Sequence, residues 1–243
     1  MAKILVTGAS GLIGRAMVAD VSNTHDVVAL SRASPGQGDT WIKGSFAHFE
    51  DLRQLDDHAI EAVIHLGAVT GGGPERDGIL VNVEGTRCLM RYLADRGCRK
   101  FVMASSIAAV GFQSTMFRPC QVPIPDEHPC LDRDGYGFSK YLMEEVSKYH
   151  HRQNPEIDVI NLRLSSVCPD ENMPPLQGPA DPHLPAGVRY SALQRNRRDR
   201  STRQRQSRPP PSLRHLPPSG CVSLHGLARA PQFLCTAPPE SLR

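Results

Sequence analysis

The sequence predicts an α/β protein built on a doubly wound parallel sheet. Two patterns in residues 1–170 lead to this fold class. Short apolar segments alternate with helical patterns, and a glycine-rich turn follows the first apolar segment. Such alternation favours parallel strands with helices on both faces, because crossover connections are right-handed. In a sheet of this kind the ligand lies beyond the carboxyl ends of the strands.

The elements of the first half follow from local apolar runs. Apolar, mostly β-branched runs predict strands, which are Lys3–Thr7, Asp26–Leu30, Trp41–Lys43 and Glu61–Leu66. Polar segments with spaced apolar residues predict helices between them, at Arg15–Asp20 and Phe49–Asp57. The glycine-rich residues 67–73 are then a flexible loop after the fourth strand.

The second half continues the alternation. Residues Asp77–Arg96 predict a long helix with one apolar side, and Gly97 suits its C-terminus. A fifth strand is predicted at Lys100–Ser105 and a sixth at Asp158–Leu164, with the helix Tyr136–His151 between them. The proline-rich residues 112–134 are a long loop, and loops of this length in a compact domain are usually functional.

The glycine-rich turn is the first candidate site. Gly8, Gly11 and Gly14 recur every third residue between a predicted strand and a predicted helix. Glycines let the backbone turn tightly and approach a pyrophosphate, while the N–H groups at the helix start attract that anion. An ordinary tight turn is the alternative, but the flanking strand and helix favour a nucleotide site.

A second candidate site involves Tyr136 and Lys140, which lie four residues apart and therefore on one helix face. A neighbouring ammonium lowers the pKa of a tyrosine, so this pair can exchange a proton with a hydroxyl or carbonyl substrate. The alternative is a pair of unrelated surface residues.

Ser105 and Ser106 end the fifth strand at the predicted ligand edge, where a hydroxyl can bind a substrate oxygen or the local backbone.

Six motifs in order carry a family resemblance over about residues 1–170. They are Val6-Thr-Gly-Ala-Ser-Gly-Leu-Ile-Gly14, His65-Leu-Gly-Ala68, Asn82-Val-Glu-Gly-Thr86, Ser105-Ser-Ile-Ala-Ala-Val-Gly111, Tyr136-Gly-Phe-Ser-Lys140 and Asn161-Leu-Arg-Leu164. Together they resemble the extended short-chain dehydrogenase/reductases, the NAD-dependent epimerase/dehydratase family. The resemblance implies a Rossmann-like NAD(P)-binding domain.

The resemblance also implies roles for individual residues. Tyr136 would be the general acid and base, Lys140 would lower its pKa and bind the nicotinamide ribose, and Ser106 would hold the substrate oxygen. Leu12 and Ile13 would contact the pyrophosphate through their backbone. The full set implied to bind the cofactor is Gly8, Gly11, Leu12, Ile13, Gly14, Ser31, Arg32, Leu66, Ala68, Thr70, Asn82, Tyr136 and Lys140.

The second strand bears on the choice of cofactor. It ends in Leu30-Ser31-Arg32, without the acid that usually binds the ribose 2′-hydroxyl of NAD. Arg32 suits a 2′-phosphate, so NADP is favoured and NAD remains the alternative, with Arg32 then merely solvated. By resemblance, the proline-rich loop indicates a sugar, a sugar acid or a nucleotide sugar as substrate. Hydride transfer would make the chain an oxidoreductase or epimerase.

The bulk composition sets further expectations. The seven cysteines form no C-x-x-C pair, and the ten histidines form no H-E-x-x-H, so we expect a reduced, cytoplasmic protein without a metal site. No apolar run is long enough to span a membrane, and the N-terminus does not resemble a signal peptide. By resemblance, a homodimer would form through the helices at 77–96 and 136–151.

Residues 176–243 differ in character from the rest. They contain 11 Arg and 11 Pro, but no Lys and no Ile, and no periodic pattern. We expect an out-of-frame or disordered tail, with the substrate lobe of the family missing. A basic tail that binds nucleic acid is less favoured because aromatic residues are scarce there, and a divergent folded lobe is the third interpretation. An inactive truncated copy or a non-catalytic NAD(P) sensor is the alternative to an active enzyme.

Overall fold

The computed structural model describes residues 1–38, 40–168 and 221–223. Its main feature is a six-stranded sheet with the order β3-β2-β1-β4-β5-β6, in which every neighbouring pair is parallel. The strands are β1 (Lys3–Thr7), β2 (Asp26–Ser31), β3 (Thr40–Lys43), β4 (Ala62–His65), β5 (Lys100–Ser106) and β6 (Asp158–Leu164). This is the doubly wound sheet that the sequence predicts.

Helices connect these strands. They are α1 (Leu12–Val21), α2 (Phe49–Leu52), α3 (Glu75–Asp77), α4 (Thr86–Ala94) and α5 (Gly135–Gln153). Three-residue and four-residue 3₁₀ turns lie at Arg53–Leu55 and Ile107–Val110. A π-helical segment, Gly78–Gly85, joins α3 to α4.

Two apolar clusters cover the two faces of the sheet. One packs α4, α5 and the α2 region against residues such as Leu5, Val63 and Phe101, and the other packs α1 against Ile4 and its neighbours. The central strands are therefore buried on both faces, which explains why they are almost continuously apolar in sequence.

Two predicted helices differ from the structure. The helix expected over 77–96 is divided into α3, the π-helical segment and α4, and the helix expected over 49–57 becomes α2 followed by a 3₁₀ turn. The π-helical segment places Asn82 against the loop after β4, a contact with a distant part of the chain that local periodicity does not encode.

The basic tail at 176–243 lies outside the described residues, apart from one short strand. β8 (Cys221–Ser223) pairs in parallel with β7 (Ser166–Cys168), which directly follows β6. The expected disorder, frame shift or missing lobe therefore stays a prediction.

Candidate active site at the carboxyl edge of the sheet

The glycine turn (residues 8–14) lies where the strand order reverses, between β1 and β4. Gly8 has a positive φ of 66°, and its N–H donates to the Leu30 carbonyl oxygen at 3.0 Å. A Cβ on Gly8 would lie 2.7 Å from the Gly67 nitrogen, so the backbones after β1 and β4 are in contact. A Cβ on Gly14 would lie 2.1 Å from the Gly8 oxygen, so this position also requires glycine.

The turn leads into the N-terminus of α1, which fits an anion. Gly11 is the N-cap residue, and no side chain caps the helix. No acidic residue lies in the first turn of α1. The first N–H groups of a helix have no partner within the helix, and together with the helix dipole they bind phosphate groups. The residues present therefore fit the pyrophosphate of a dinucleotide, and its binding by the backbone at Leu12 and Ile13 stays a prediction.

The end of β2 supplies the next part of the site. Ser31 is buried, and its hydroxyl donates to the Ala33 carbonyl oxygen at 2.7 Å. The neighbouring Arg32 is exposed at the carboxyl edge of the sheet. Of these two predicted cofactor residues, Ser31 shapes the turn and Arg32 is the one whose side chain is open to a ligand.

The loop after β4 (residues 66–73, the β4 loop) is fixed from below by a buried polar chain. The Thr7 hydroxyl accepts a hydrogen bond from the Gly67 N–H at 3.2 Å and contacts His65 Nδ1 at 2.7 Å. His65 Nε2 lies 3.0 Å from the Thr86 hydroxyl. Burial, together with the charge of Lys140, lowers the pKa of His65 to about 3. His65 is therefore neutral near pH 7.

The predicted cofactor residues of the β4 loop lie above this chain. Leu66 and Ala68 are half-buried, and Thr70 is exposed. Asn82 is fully buried, and its amide both accepts from the Val69 N–H and donates to the Val69 carbonyl oxygen, each at 2.8 Å. Asn82 therefore holds the β4 loop, and its predicted part in cofactor binding stays a prediction.

Asn82 also connects the β4 loop to the helix that carries Tyr136. Its amide donates to the Ser139 hydroxyl at 2.9 Å, and that hydroxyl donates to the Tyr136 carbonyl oxygen at 2.7 Å. The loop and the N-terminal turn of α5 are thus joined by consecutive hydrogen bonds.

Tyr136 lies in the first turn of α5, next to Ser106. The Asp134 carboxylate caps this helix by accepting from the Tyr136 N–H at 2.8 Å. Ser106 ends β5, is buried, and accepts from the Ala108 N–H at 3.1 Å. Burial raises the pKa of Tyr136, and a hydrogen bond with the Ser106 side chain opposes that rise.

Lys140 lies one helical turn beyond Tyr136. Its ammonium donates to the Ala104 carbonyl oxygen at 2.7 Å, and the residue is only 3% exposed. Burial lowers the pKa of Lys140 to about 8, although the charge of Glu144 opposes this shift. Burial raises the pKa of Tyr136 in the chain by itself, and the lowering effect expected of Lys140 stays a prediction.

The structure adds residues that sequence reasoning missed. Glu144 is buried beneath Lys140 and is bonded by Arg163 from β6 and by Ser105 from β5. A Glu four residues after Lys140 is a weak sequence signal, since such spacing also occurs on exposed helix faces.

In the described residues no group of His, Cys, Asp and Glu could hold a metal ion. The described helices also include none with the length and apolar character needed to cross a membrane.

The strand order, with a glycine turn at its reversal point and an uncapped helix beyond, defines a dinucleotide-binding protein of the Rossmann type. Comparisons with known proteins identify the family within this class. The model of the NAD dependent epimerase/dehydratase family matches residues 4–179. The chain belongs to this family of NAD-dependent enzymes.

Individual relatives agree with this assignment. UDP-glucose 4-epimerase 2 of Arabidopsis thaliana is 29% identical over 187 residues, covering 67% of this chain and 51% of the relative. The NAD-dependent glucose-6-phosphate dehydrogenase of Haloferax volcanii is 28% identical, covering 68% of each chain. A short-chain dehydrogenase/reductase superfamily protein from Agrobacterium tumefaciens, solved with bound NAD, has a TM-score of 0.60 and 32% identity, covering 68% of this chain and 50% of the other. The chain spans about half the length of the curated epimerases that it matches.

Proposed function

We propose that this chain is the cofactor-binding and proton-transferring part of an NAD(P)-dependent epimerase or dehydrogenase that acts on a sugar, a sugar acid or a nucleotide sugar. One observation carries the proposal. Ser106, Tyr136 and Lys140 come from two elements, β5 and α5, and meet at the same sheet edge as the glycine turn. Relatives that are UDP-glucose 4-epimerases support the sugar class of substrate.

The chemistry follows from the state of each group. Because burial raises the pKa of Tyr136, its hydroxyl keeps its proton near pH 7 and donates it to a substrate oxygen. The Ser106 hydroxyl, close to Tyr136, orients that oxygen and stabilises charge developing on it. The bound nicotinamide supplies hydride acceptance and donation. Lys140 is charged below about pH 8 and favours the tyrosinate that forms when the proton leaves.

The cofactor is NADP in our proposal, with NAD as the alternative that the NAD-bound relative favours. Arg32 is exposed at the end of β2, where a guanidinium can pair with a 2′-phosphate. The test is a thermal melt of the chain with saturating NADP⁺ or NAD⁺. A ligand at about 100 times its Kd adds about 2.7 kcal/mol, which is a rise of a few degrees.

The variant Arg32→Ala sharpens this test. We expect it to reduce the rise with NADP⁺ and to leave the rise with NAD⁺ unchanged. Arg152→Ala, which removes an exposed arginine from the far end of α5, is the matched control. A larger rise with NAD⁺ in the unaltered chain would overturn the preference for NADP, and no rise with either would overturn the proposed cofactor site.

The homodimer expected from the resemblance stays a proposal. The helices involved carry exposed apolar side chains, with Leu80 49% and Tyr149 45% exposed. Both are large side chains that a second copy can cover. Sedimentation of the chain, compared with that of Leu80→Asp, tests the pairing: a dimer that the substitution dissociates supports it, and a monomeric unaltered chain contradicts it.

A further inference from the structure

A buried ion pair lies below the proposed active site. Arg163 Nε donates to Glu144 Oε1 at 2.9 Å, and Arg163 Nη2 donates to Oε2 at 2.7 Å. The Ser105 hydroxyl donates to the same Oε1 at 2.5 Å. The Glu144 side chain is 2% exposed, so this carboxylate is removed from water and bonded on both oxygens.

The ion pair is adjacent to Lys140 in three dimensions. Glu144 follows Lys140 by one helical turn of α5, and Ser105 follows Ala104, whose carbonyl oxygen binds the Lys140 ammonium. Ser105 and Arg163 are register partners in neighbouring strands. One buried unit therefore joins α5, β5 and β6 at the level of the ammonium.

A purely mechanical role does not require this unit. The same helix is already joined to β6 and its approach by other bonds. The Asn161 amide donates to the Ser147 hydroxyl at 2.7 Å, and His151 Nδ1 lies 2.8 Å from the Ile157 carbonyl oxygen. A buried ion pair usually contributes little net stability compared with apolar residues of the same volume. The position of a carboxylate here therefore needs another reason.

The charges around Lys140 supply that reason. From β4, His65 is uncharged near pH 7, and from β6, Arg163 is positive. The 3₁₀ turn at 107–110 contains only Ile, Ala and Val. On α5 itself, Tyr136 is neutral and Glu144 is negative. The charge of Asp126 acts on Arg163. In the described part of the chain, Glu144 is the anion that acts on the buried ammonium.

We propose that Glu144, held by Arg163 and Ser105, is a positioning residue that keeps the buried Lys140 ammonium charged where it binds the Ala104 carbonyl oxygen. The inference rests on the proposed function, because that function gives Lys140 its task. Burial alone lowers the pKa of Lys140, and the Glu144 carboxylate opposes this shift. Loss of the carboxylate would leave Arg163 as an unbalanced positive charge nearby.

The test is a titration of the Lys140 side chain by NMR in the full chain labelled at lysine. The chain has only five lysines, which are Lys3, Lys43, Lys100, Lys140 and Lys148, so each signal can be resolved. The Lys140 signal is assigned by its loss in Lys140→Met. Lys43, on the opposite edge strand β3, is the internal reference.

Three variants distinguish electrostatics from packing. We expect Glu144→Gln to lower the Lys140 titration midpoint by about one pH unit, a tenfold change in proton affinity. We expect Arg163→Met to raise it, because an unneutralised carboxylate remains. Glu145→Gln removes the same charge from the next residue, which pairs with Lys148 at the surface, and should leave the midpoint unchanged.

Opposite shifts for Glu144→Gln and Arg163→Met support the proposal. Shifts of the same sign in both variants, or a Glu144→Gln shift no larger than that of Glu145→Gln, overturn it. If Glu144→Gln does not fold, Arg163→Met decides alone, since an unchanged or lowered midpoint contradicts the proposal. The titration measures the charge of Lys140 without substrate. Its result therefore stands even if the turnover of Lys140→Met shows that the proposed function of Lys140 is wrong.

Discussion

Tyr136 shows how a single residue depends on its surroundings for its chemistry. Burial keeps its proton on, Ser106 shares a hydrogen bond with it, and Lys140 stands one helical turn away, bound to the backbone of β5. In the proposed mechanism the phenol is therefore a proton donor at rest, and it becomes a base only when the ammonium balances the negative charge of the tyrosinate. Removing the hydroxyl removes both functions but little volume.

We expect Tyr136→Phe to lower turnover of a nucleotide sugar by about 10²-fold to 10⁴-fold, the usual contribution of general acid and base catalysis. The rise in Tm with cofactor should be nearly unchanged, because the glycine turn and α1 are untouched. Tyr149→Phe, on the exposed side of the same helix, is the matched control. Turnover is followed by interconversion of UDP-glucose and UDP-galactose, and equal rates in the two variants would remove Tyr136 from the mechanism.

At the scale of the element, α5 is positioned at its first turn. The Asp134 carboxylate accepts from the Tyr136 N–H, and a Cβ on Gly137 would lie 2.4 Å from the Ala108 oxygen. The helix N-terminus is thus pressed against the 3₁₀ turn that follows Ser106. The cap and the close approach together set the distance between Tyr136 and β5.

Asp134→Ala should therefore destabilise the chain by about 1 kcal/mol, the usual cost of losing a helix N-cap. Asp134→Asn should retain most of the stability, since its side-chain oxygen still accepts from the same N–H. Urea unfolding of the two variants measures the difference. Equal loss in both would mean that the negative charge matters rather than the hydrogen bond.

The same scale shows what sequence can and cannot predict. The strands were predictable because burial on both faces makes segments such as β4 continuously apolar, and the class of fold followed from their alternation with helices. The π-helical segment could not be predicted, because it depends on contacts with distant residues. Asn82 bonds to Val69 and Ser139, and a Cβ on Gly78 would lie 3.3 Å from the Ser139 side chain. These contacts join distant segments and override the local helical period.

The residues of the candidate site also fall into those that the sequence indicates and those that it does not. Gly8, Tyr136 and Lys140 could be predicted because their spacing is fixed by one turn or one helix face. Glu144 and Arg163 are 19 positions apart and meet only after β5 and β6 pair, so no local pattern indicates them. The raised pKa of Tyr136 was likewise missed, because burial of a side chain depends on the whole fold rather than on its neighbours in sequence.

At the scale of the whole molecule, the buried hydrogen-bonded residues around His65 make the free energy of unfolding depend on pH in the acid range. The Thr7 hydroxyl accepts from the Gly67 N–H and also contacts His65 Nδ1, while His65 Nε2 contacts the Thr86 hydroxyl. A second proton on the ring would place a charge in the core, away from water. The folded chain therefore resists protonation of His65 far below its ordinary pKa.

The consequence is a stability that falls in acid. His65 has a pKa of about 3 in the folded chain, whereas an unfolded histidine titrates near 6.5, so the unfolded state binds one more proton between these values. The stabilisation is complete above about pH 6.5 and is lost as the pH falls toward 3, at about 1.4 kcal/mol per pH unit. His65→Asn keeps a side chain that can donate and accept hydrogen bonds but lacks the titrating ring, so we expect its free energy of unfolding to depend less steeply on pH between 4 and 6. His48→Asn changes a ring whose side chain is 73% exposed and should keep the slope of the unaltered chain. Urea unfolding across this pH range measures the slopes, and parallel curves for the unaltered chain and His65→Asn would show that the acid sensitivity arises elsewhere.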